Sequence, residues 1–347
     1  MTIWKMRSKK NKEKHHSLTA VDITPKDDSF HGSMNYLDIE WWYFDAIFTN
    51  NYSIHVGIRT FHTKRHGIAK SRIEIYKNGK IEVEKIKTDL IQNLYISKDF
   101  PLIMINDKKV IEFNQEKYRK KGEWSYDVSL SIDDQEVNLN FTGTTKGWKI
   151  ETSDTCWAVP LPKANVEGTI TVNGKTMQVK GTGYHDHNWD YSITTAMNNI
   201  GWFWGRITGE TLNVVWAKTM ETHKKHNLLA IINRDKKNTI KPDEYISINP
   251  KNITFIPENF IYRDGRWIPT NFIFKIKEGA IDADIRMETI DIHHSRIFIA
   301  HYWRYHVKTN GYITWDAQTE KLNNKTQIIE FLSFKSHGKR YLEIICG

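Results

Sequence analysis

Apolar residues recur at every second position through much of the chain. Ile73 and Ile75 are answered by Ile81 and Val83, and Val128, Leu130 and Ile132 by Val137, Leu139 and Phe141. A period of two is the mark of half-buried β-strands, whereas spacing at three and four is scarce. Two-residue breaks separate such runs: Asn78-Gly79, Asp133-Asp134, Asn173-Gly174, Asp264-Gly265 and Asn310-Gly311. Asn, Asp and Gly tolerate the positive φ of tight hairpins, so each break predicts an antiparallel pair. Only "TDLIQNL" and "SITTAMNNI" look locally helical.

The expected fold class is therefore all-β. A chain of 347 residues exceeds one ordinary core. Antiparallel sheets must deal with their unpaired edges, and closure removes them, so two consecutive antiparallel β-barrel domains are expected. The boundary is placed near residue 192, giving a first barrel over 30–191 and a second over 192–347. Two aromatic clusters, "EWWYFDAIF" and "GWFWGRI", fall one in each half.

Hydrophobic residues at 39% and charged residues at 26% suit a soluble globular chain. The net charge of +9 changes meaning once located. Lys5, Arg7, Lys9, Lys10, Lys12 and Lys14 stand against Glu13 alone, so the first sixteen residues hold more than half of the excess. Residues 1–29 are expected to form a basic, disordered arm, able to touch anionic lipid headgroups. No Gly-rich phosphate loop, basic recognition helix or RNP-type strand occurs, so no nucleic-acid partner is expected. Cys156 and Cys346 are too few for a disulfide framework or a Cys-rich zinc pattern. Without a signal-peptide core or an apolar run of about 20 residues, the expected location is cytoplasmic.

Four stretches mix ionisable and aromatic groups. In "DIEWWYFDAIF", Glu40, Trp42, Phe44 and Ala46 share one face and Trp41, Tyr43 and Asp45 the other. Such a strand is buried on both sides or lines a cavity. Glu40 beside Trp42 is a desolvated carboxylate, favoured in the neutral form that a general acid needs, or else a buried carboxylate paired with Arg59 or Arg206. In "GTGYHDHNWDY", His185, His187 and Trp189 share one face, with Tyr184, Asp186 and Asn188 opposite. The two His could share a metal, but zinc catalysis needs a third ligand that no spacing supplies, so no metal or cofactor is expected. A structural role or a proton-transfer role for His185, His187 and Asp186 stays open. Gly181 and Gly183 would admit a close neighbour. In "GWFWGRI", Trp202, Trp204 and Arg206 form a ladder ending in a guanidinium, with Arg206 placed to stack on Trp204. In "AHYWRYH", His301, Trp303 and Tyr305 face away from Tyr302, Arg304 and His306. No G-x-S-x-G elbow supports a serine nucleophile.

Together "EWWYFDA", "GTGYHDHNW" and "GWFWGR" resemble the hydroxyneurosporene synthase (carotenoid hydratase) family. It belongs to a lipocalin-like superfamily with AttH-type proteins and fungal intramolecular Diels–Alderases. The resemblance runs from about Phe30 to the C-terminus. It implies two consecutive lipocalin-like β-barrels and a hydrophobic ligand, a small molecule of isoprenoid or polycyclic character, held within or between them. In the hydratases the implied chemistry is protonation of a double bond followed by capture of the cation by water. Transferred to this sequence, Glu40 or Asp186 donates the proton, and His185 or His187 places water. Trp42, Trp189, Trp202 and Trp204 shield the cation, with Trp41, Tyr43, Asn188 and Arg206 completing the ligand site. The alternatives are a non-catalytic carrier and a metal-dependent enzyme using the His-Asp-His motif. Asp190 follows Trp189 where the family commonly has Gly.

Overall fold

The computed structural model describes residues 19–32, 38–63, 66–151, 155–192, 195–196, 199–221, 227–237, 243–297 and 299–346. Two antiparallel sheets dominate it, a nearly closed barrel followed by a half-barrel. The first contains β1 (Val21–Asp22), β2 (Asp38–Phe48), β3 (Tyr52–His62), β4 (Gly67–Lys77), β5 (Lys80–Leu90), β6 (Leu94–Ile96) and β7 (Leu102–Ile105). It continues through β8 (Lys108–Phe113), β9 (Ser125–Ile132), β10 (Gln135–Gly143), β11 (Trp148–Glu151), β12 (Cys156–Val172) and β13 (Lys175–Ser192). Its main path runs β5-β4-β3-β2-β13-β12-β10-β9-β8-β7-β6. A short helix α1 (Gln115–Lys121) joins β8 to β9, capped by the Asn114 side chain on the Lys117 amide and stopped by Gly122 at φ 65°.

The second sheet holds β14 (Asn199–Thr208), β15 (Leu212–Glu221), β16 (Asn227–Arg234), β17 (Tyr245–Ser247) and β18 (Ile253–Glu258). A separate ribbon, β19 (Ile261–Arg263) with β20 (Arg266–Ile268), precedes β21 (Asn271–Glu278), β22 (Ile281–Ile297), β23 (Ala300–Trp315) and β24 (Gln318–Ser333). The path is β17-β16-β15-β14-β24-β23-β22-β21-β18, and α2 (Lys339–Cys346) closes the chain. No described helix is long and apolar enough to cross a membrane.

The alternating residues do what period two requires. Ile73, Ile75, Val128, Leu130, Ile132, Val137, Leu139 and Phe141 are all buried in the core of the first unit. Phe203, Trp216, Phe255, Trp303 and Tyr305 build the second. A third apolar cluster, with Tyr43, Trp148, Tyr184, Trp204, Val215 and Ile328, draws on both units and lies between them. This explains the double-sided aromatics of β2: an antiparallel sheet can leave one face wet, but here the second unit covers that face.

Several expectations change. Four of the five predicted turns join strands, but Asn310-Gly311 lies inside β23 at a register shift, and the reversal comes at Asp316 with φ 55°. An extra residue in one strand bends the ladder without ending it. "TDLIQNL" ends as strand, with a single 3-10 turn at Ile91–Asn93. Of "SITTAMNNI", only two residues are described as helical and part lies outside the described residues. The arm expected over 1–29 does not extend over its described residues, 19–29: Val21–Asp22 pairs with β11, and Asp28 is fully buried. Its charged residues 1–18 lie outside the described residues.

Candidate functional site

β2 and β13 are hydrogen-bonded neighbours, with Trp42 opposite His187, Phe44 opposite His185 and Tyr43 opposite Asp186. Gly181 and Gly183 permit this: a Cβ on Gly183 would meet Asp45 O at 2.7 Å, and one on Gly181 would overlap Ile47 O. Alternation then sorts the predicted residues onto two faces.

The inward face carries Glu40, Trp42, His185, His187 and Trp189. His185 Nε2 lies 3.0 Å from Asp28 Oδ2, its Nδ1 donates to Tyr43 O at 3.0 Å, and its ring stacks on Phe44 at 3.8 Å. Tyr126 OH donates to the same Asp28 oxygen at 2.6 Å. His187 Nε2 meets Glu40 Oε1 at 2.9 Å and its Nδ1 lies 3.4 Å from Asp28 Oδ1. The Glu40 carboxylate also accepts the His31 and Gly32 amides at 2.9 and 3.2 Å. Its partners are therefore His187 and backbone, in place of Arg59 or Arg206. Trp42 stacks on His187 at 4.4 Å, and His31 on Trp189 at 3.9 Å. Burial alone would favour a neutral His187, but Asp28 and Glu40 outweigh it and lift the imidazole to about 9. Burial would likewise raise Asp28, yet the two His hold it below the usual carboxylate range. This network pins the 3-10 turn Pro25–Asp28 against the barrel interior, and stacked rings fill the space around it.

The opposite face meets the second unit and carries Trp41, Tyr43, Asp186 and Asn188, joined by Trp202, Trp204 and Arg206 from β14. Tyr43 OH lies 2.8 Å from both Asp45 Oδ2 and Glu330 Oε1, which share its single proton as alternative acceptors. Arg304 Nη1 donates to Tyr43 OH at 2.7 Å and pairs with Glu330 at 2.6 Å. Arg206 pairs with Asp45 at 2.6 Å and donates to Thr208 at 2.8 Å, so its guanidinium binds the other unit and does not stack on Trp204. Ser53 and His306 bridge the units at 2.7 Å.

Asp186 lies at the edge of this seam, 6% exposed. Its Oδ2 accepts Tyr184 OH at 2.8 Å and Trp157 Nε1 at 2.9 Å, and its Oδ1 accepts Asn188 Nδ2 at 3.2 Å. Burial pushes its carboxyl up, against the Tyr184 and Trp157 hydrogen bonds, and the nearby Glu330 and Asp45 charges add to that, leaving it at about 7. Half-buried Trp41, Trp157 and Trp202 line the same seam, and Tyr191 stands edge-on to Trp41 and Trp202, at 5.7 Å from each.

The structure thus divides the candidates: Glu40, His185 and His187 form one closed network, while Asp186 stands on the other side of the sheet. Sequence reading missed Asp28, which lies in a polar run without periodicity, missed Trp157 and Tyr184 as partners of Asp186, and missed Tyr191 as part of the seam. The i+2 spacing of Tyr184 and Asn188 about Asp186 was the available signal. His185 and His187 have their nitrogens committed to Asp28, Glu40 and backbone. Among the described residues Glu74, Glu84 and His293 bring three donor atoms within 4.8 Å of one another. Arg72 already sits between those carboxylates at 2.7 and 3.8 Å, which makes the group an ion-pair cluster. An open groove of about 780 Å³ on the outer face of β9, β10, β12 and β13, with Asn138, Asn140, Glu167 and Gln178, lies away from the seam.

Solved structures share this architecture. An AttH-designated protein of Nitrosomonas europaea superposes with a TM-score of 0.60 at 12% identity, over 90% of this chain and 97% of that one. CghA with Sch210972 gives 0.59 at 9% identity, over 87% and 89%. Kievitone hydratase of Nectria haematococca gives 0.54 at 11% identity, over 91% and 94%. The protein therefore shares the two-unit, lipocalin-like fold of these structures. No protein-family model and no curated protein matches the sequence.

Proposed function

We propose that the chain binds an apolar, isoprenoid-like or polycyclic small molecule at the aromatic seam between its units, and that Asp186 protonates a double bond of that ligand. The observation that carries this reading is one buried carboxyl, poised near neutral pH beside half-buried indoles. A group whose pKa matches the working pH can both give and recover a proton. The neutral acid transfers its proton to one alkene carbon, and the π pair becomes the new C–H bond. Trp41, Trp157 and Trp202 offer π-faces to the tertiary cation. Water then bonds to the cation beside the Asn188 amide, and the excess proton returns to the Asp186 carboxylate. The net change is addition of water; attack by a second double bond of the same ligand would close a ring instead. The name of one fold neighbour, a hydratase, supports the first outcome. Glu40, His185 and His187 have no step in this mechanism.

A carrier without turnover is the second reading. Three donors converge on Asp186, and hydrogen bonds to a carboxylate favour its ionised form. Incubation with isoprenoid alkenes and prenylated phenols in heavy-oxygen water separates the two. Label should enter the product, and Asp186→Asn should lose roughly 100-fold or more in rate with ligand affinity kept. Full turnover by Asp186→Asn would remove Asp186 from the mechanism, and no turnover by the parent protein across the panel would leave the carrier.

A further inference from the structure

Four guanidinium groups lie on the face where the two units meet. Arg72 pairs with Glu74 at 2.7 Å, Arg206 with Asp45 at 2.6 Å and Arg304 with Glu330 at 2.6 Å. Arg59, on β3, has no hydrogen bond or ion pair among the described residues. Its Nε is enclosed without a partner, and its guanidinium lies 5.2 Å from the Trp41 ring centroid. Burial, with Arg72 nearby, lowers it to about 10. Arg59 is half-buried, so its guanidinium is reachable from the seam, while its Nε is closed off from water and has no acceptor, a donor that an entering group can satisfy. The Tyr191 hydroxyl is buried and also lacks a partner in bonding geometry. Burial raises the Tyr191 phenol and keeps it a neutral O–H, against the smaller opposing effects of the nearby Arg59 charge and the Asn199 side chain. Two unsatisfied donors therefore border Trp41.

The register fixes how this corner relates to Asp186. Arg59 stands opposite Trp41, Trp41 opposite Asn188, and Tyr43 opposite Asp186. Two strand spacings and two residues along β13 separate the Arg59 and Asp186 backbones by roughly 12 Å. The geometry points to a ligand with an ionised or acidic planar oxygen group, a carboxylate, enolate or phenolate, seated on Arg59 against Trp41, with its apolar body running along the seam to Asp186. One unpaired guanidinium matches one negative charge. A diphosphate would need several cations, and here the other three are already engaged.

This inference rests on the seam as the ligand site, so its test uses two probes with one apolar body. The full-length protein is titrated calorimetrically with 1-naphthaleneacetate and with 2-(1-naphthyl)ethanol. The carboxylate should bind at least tenfold tighter. Arg59→Met, which keeps the stem volume, should erase that preference and leave the alcohol unchanged, and Asp186→Asn should preserve it. Tyr191→Phe, a milder change for folding, should weaken the carboxylate alone by a few fold. Equal binding of both probes, or a preference that survives Arg59→Met and Tyr191→Phe, would overturn the oxyanion site and leave the apolar seam standing. Failure of both probes to bind the parent protein would overturn the seam and the oxyanion site together.

Discussion

The two faces of β13 present neighbouring residues of one motif to different fates. On the inner face His187, lifted to about 9, lies between Asp28 and Glu40, and every charge there has an opposite. On the outer face Asp186 has donors but no cation against it, and Arg59 has no acceptor at all. Asp186 and His187 are both buried, so their own burial does not distinguish them. Completion does. A network whose charges are paired holds a fold in place, whereas a buried acid near neutrality and an unpaired cation are states that a ligand can use.

The largest expected effect breaks the inner face. His187→Ala leaves two buried carboxylates without their shared cation and should cost about 3–5 kcal/mol in denaturant unfolding. The parent protein should show the same network in its pH profile. Because His187 titrates higher folded than unfolded, its contribution is complete below about pH 6.5 and drains away as pH rises through 9. Asp28 is shifted the other way, so its contribution is complete above about pH 4 and is lost in acid. Stability that stayed flat from pH 6.5 to 9.5 would dissolve the network as a scaffold.

The next effect has the opposite sign. Asp186 holds its proton more tightly when folded, so ionising it works against the fold, and stability falls as pH climbs from 3.8 towards 7. Asp186→Asn removes that slope and should stabilise the protein at pH 8 by about 2–4 kcal/mol, while abolishing any proton transfer. A variant that gains stability as it loses activity is what a ligand site predicts and a structural carboxylate does not. Destabilisation by Asp186→Asn at pH 8 would move Asp186 into the scaffold beside His187.

Much of this was legible beforehand, and the limits are specific. Alternation separated His185 and His187 from Asp186, and Trp41 from Trp42, because side chains on a strand must alternate. Parity cannot say which side is the barrel interior and which meets another unit, since both are apolar here. Asp28 escaped notice because it reaches the core from a 3-10 turn, where no period applies. Asn114 and Gly122 bracket α1 as a cap and a stop, a helix signal outweighed by the surrounding strands. Which Arg would lack a partner depends on residues more than a hundred positions away, such as Asp45 for Arg206, and no local pattern encodes that.

The smallest prediction concerns the position where parity fails. Following His185, His187 and Trp189, Tyr191 ought to face inward, yet it packs against Trp41 and Trp202 in the seam. The register of β13 on β2 shifts between Asn188 and Tyr191, and Asp190 has φ 58°. The bulge consumes one residue and turns the strand over, which delivers Tyr191 to the corner that Arg59 occupies. A left-handed backbone there accounts for the Gly common at this place in the resembling family; Asp tolerates it, and here also accepts the Cys156 thiol at 3.7 Å. Asp190→Gly should therefore change stability by only a few tenths of a kcal/mol, whereas Asp190→Ala should cost about 1 kcal/mol. If the bulge sets the seam, Asp190→Ala should also weaken the naphthaleneacetate preference and Asp190→Gly should keep it. Equal behaviour of the two variants in both measurements would show that Tyr191 reaches the seam for some reason other than the turn at Asp190.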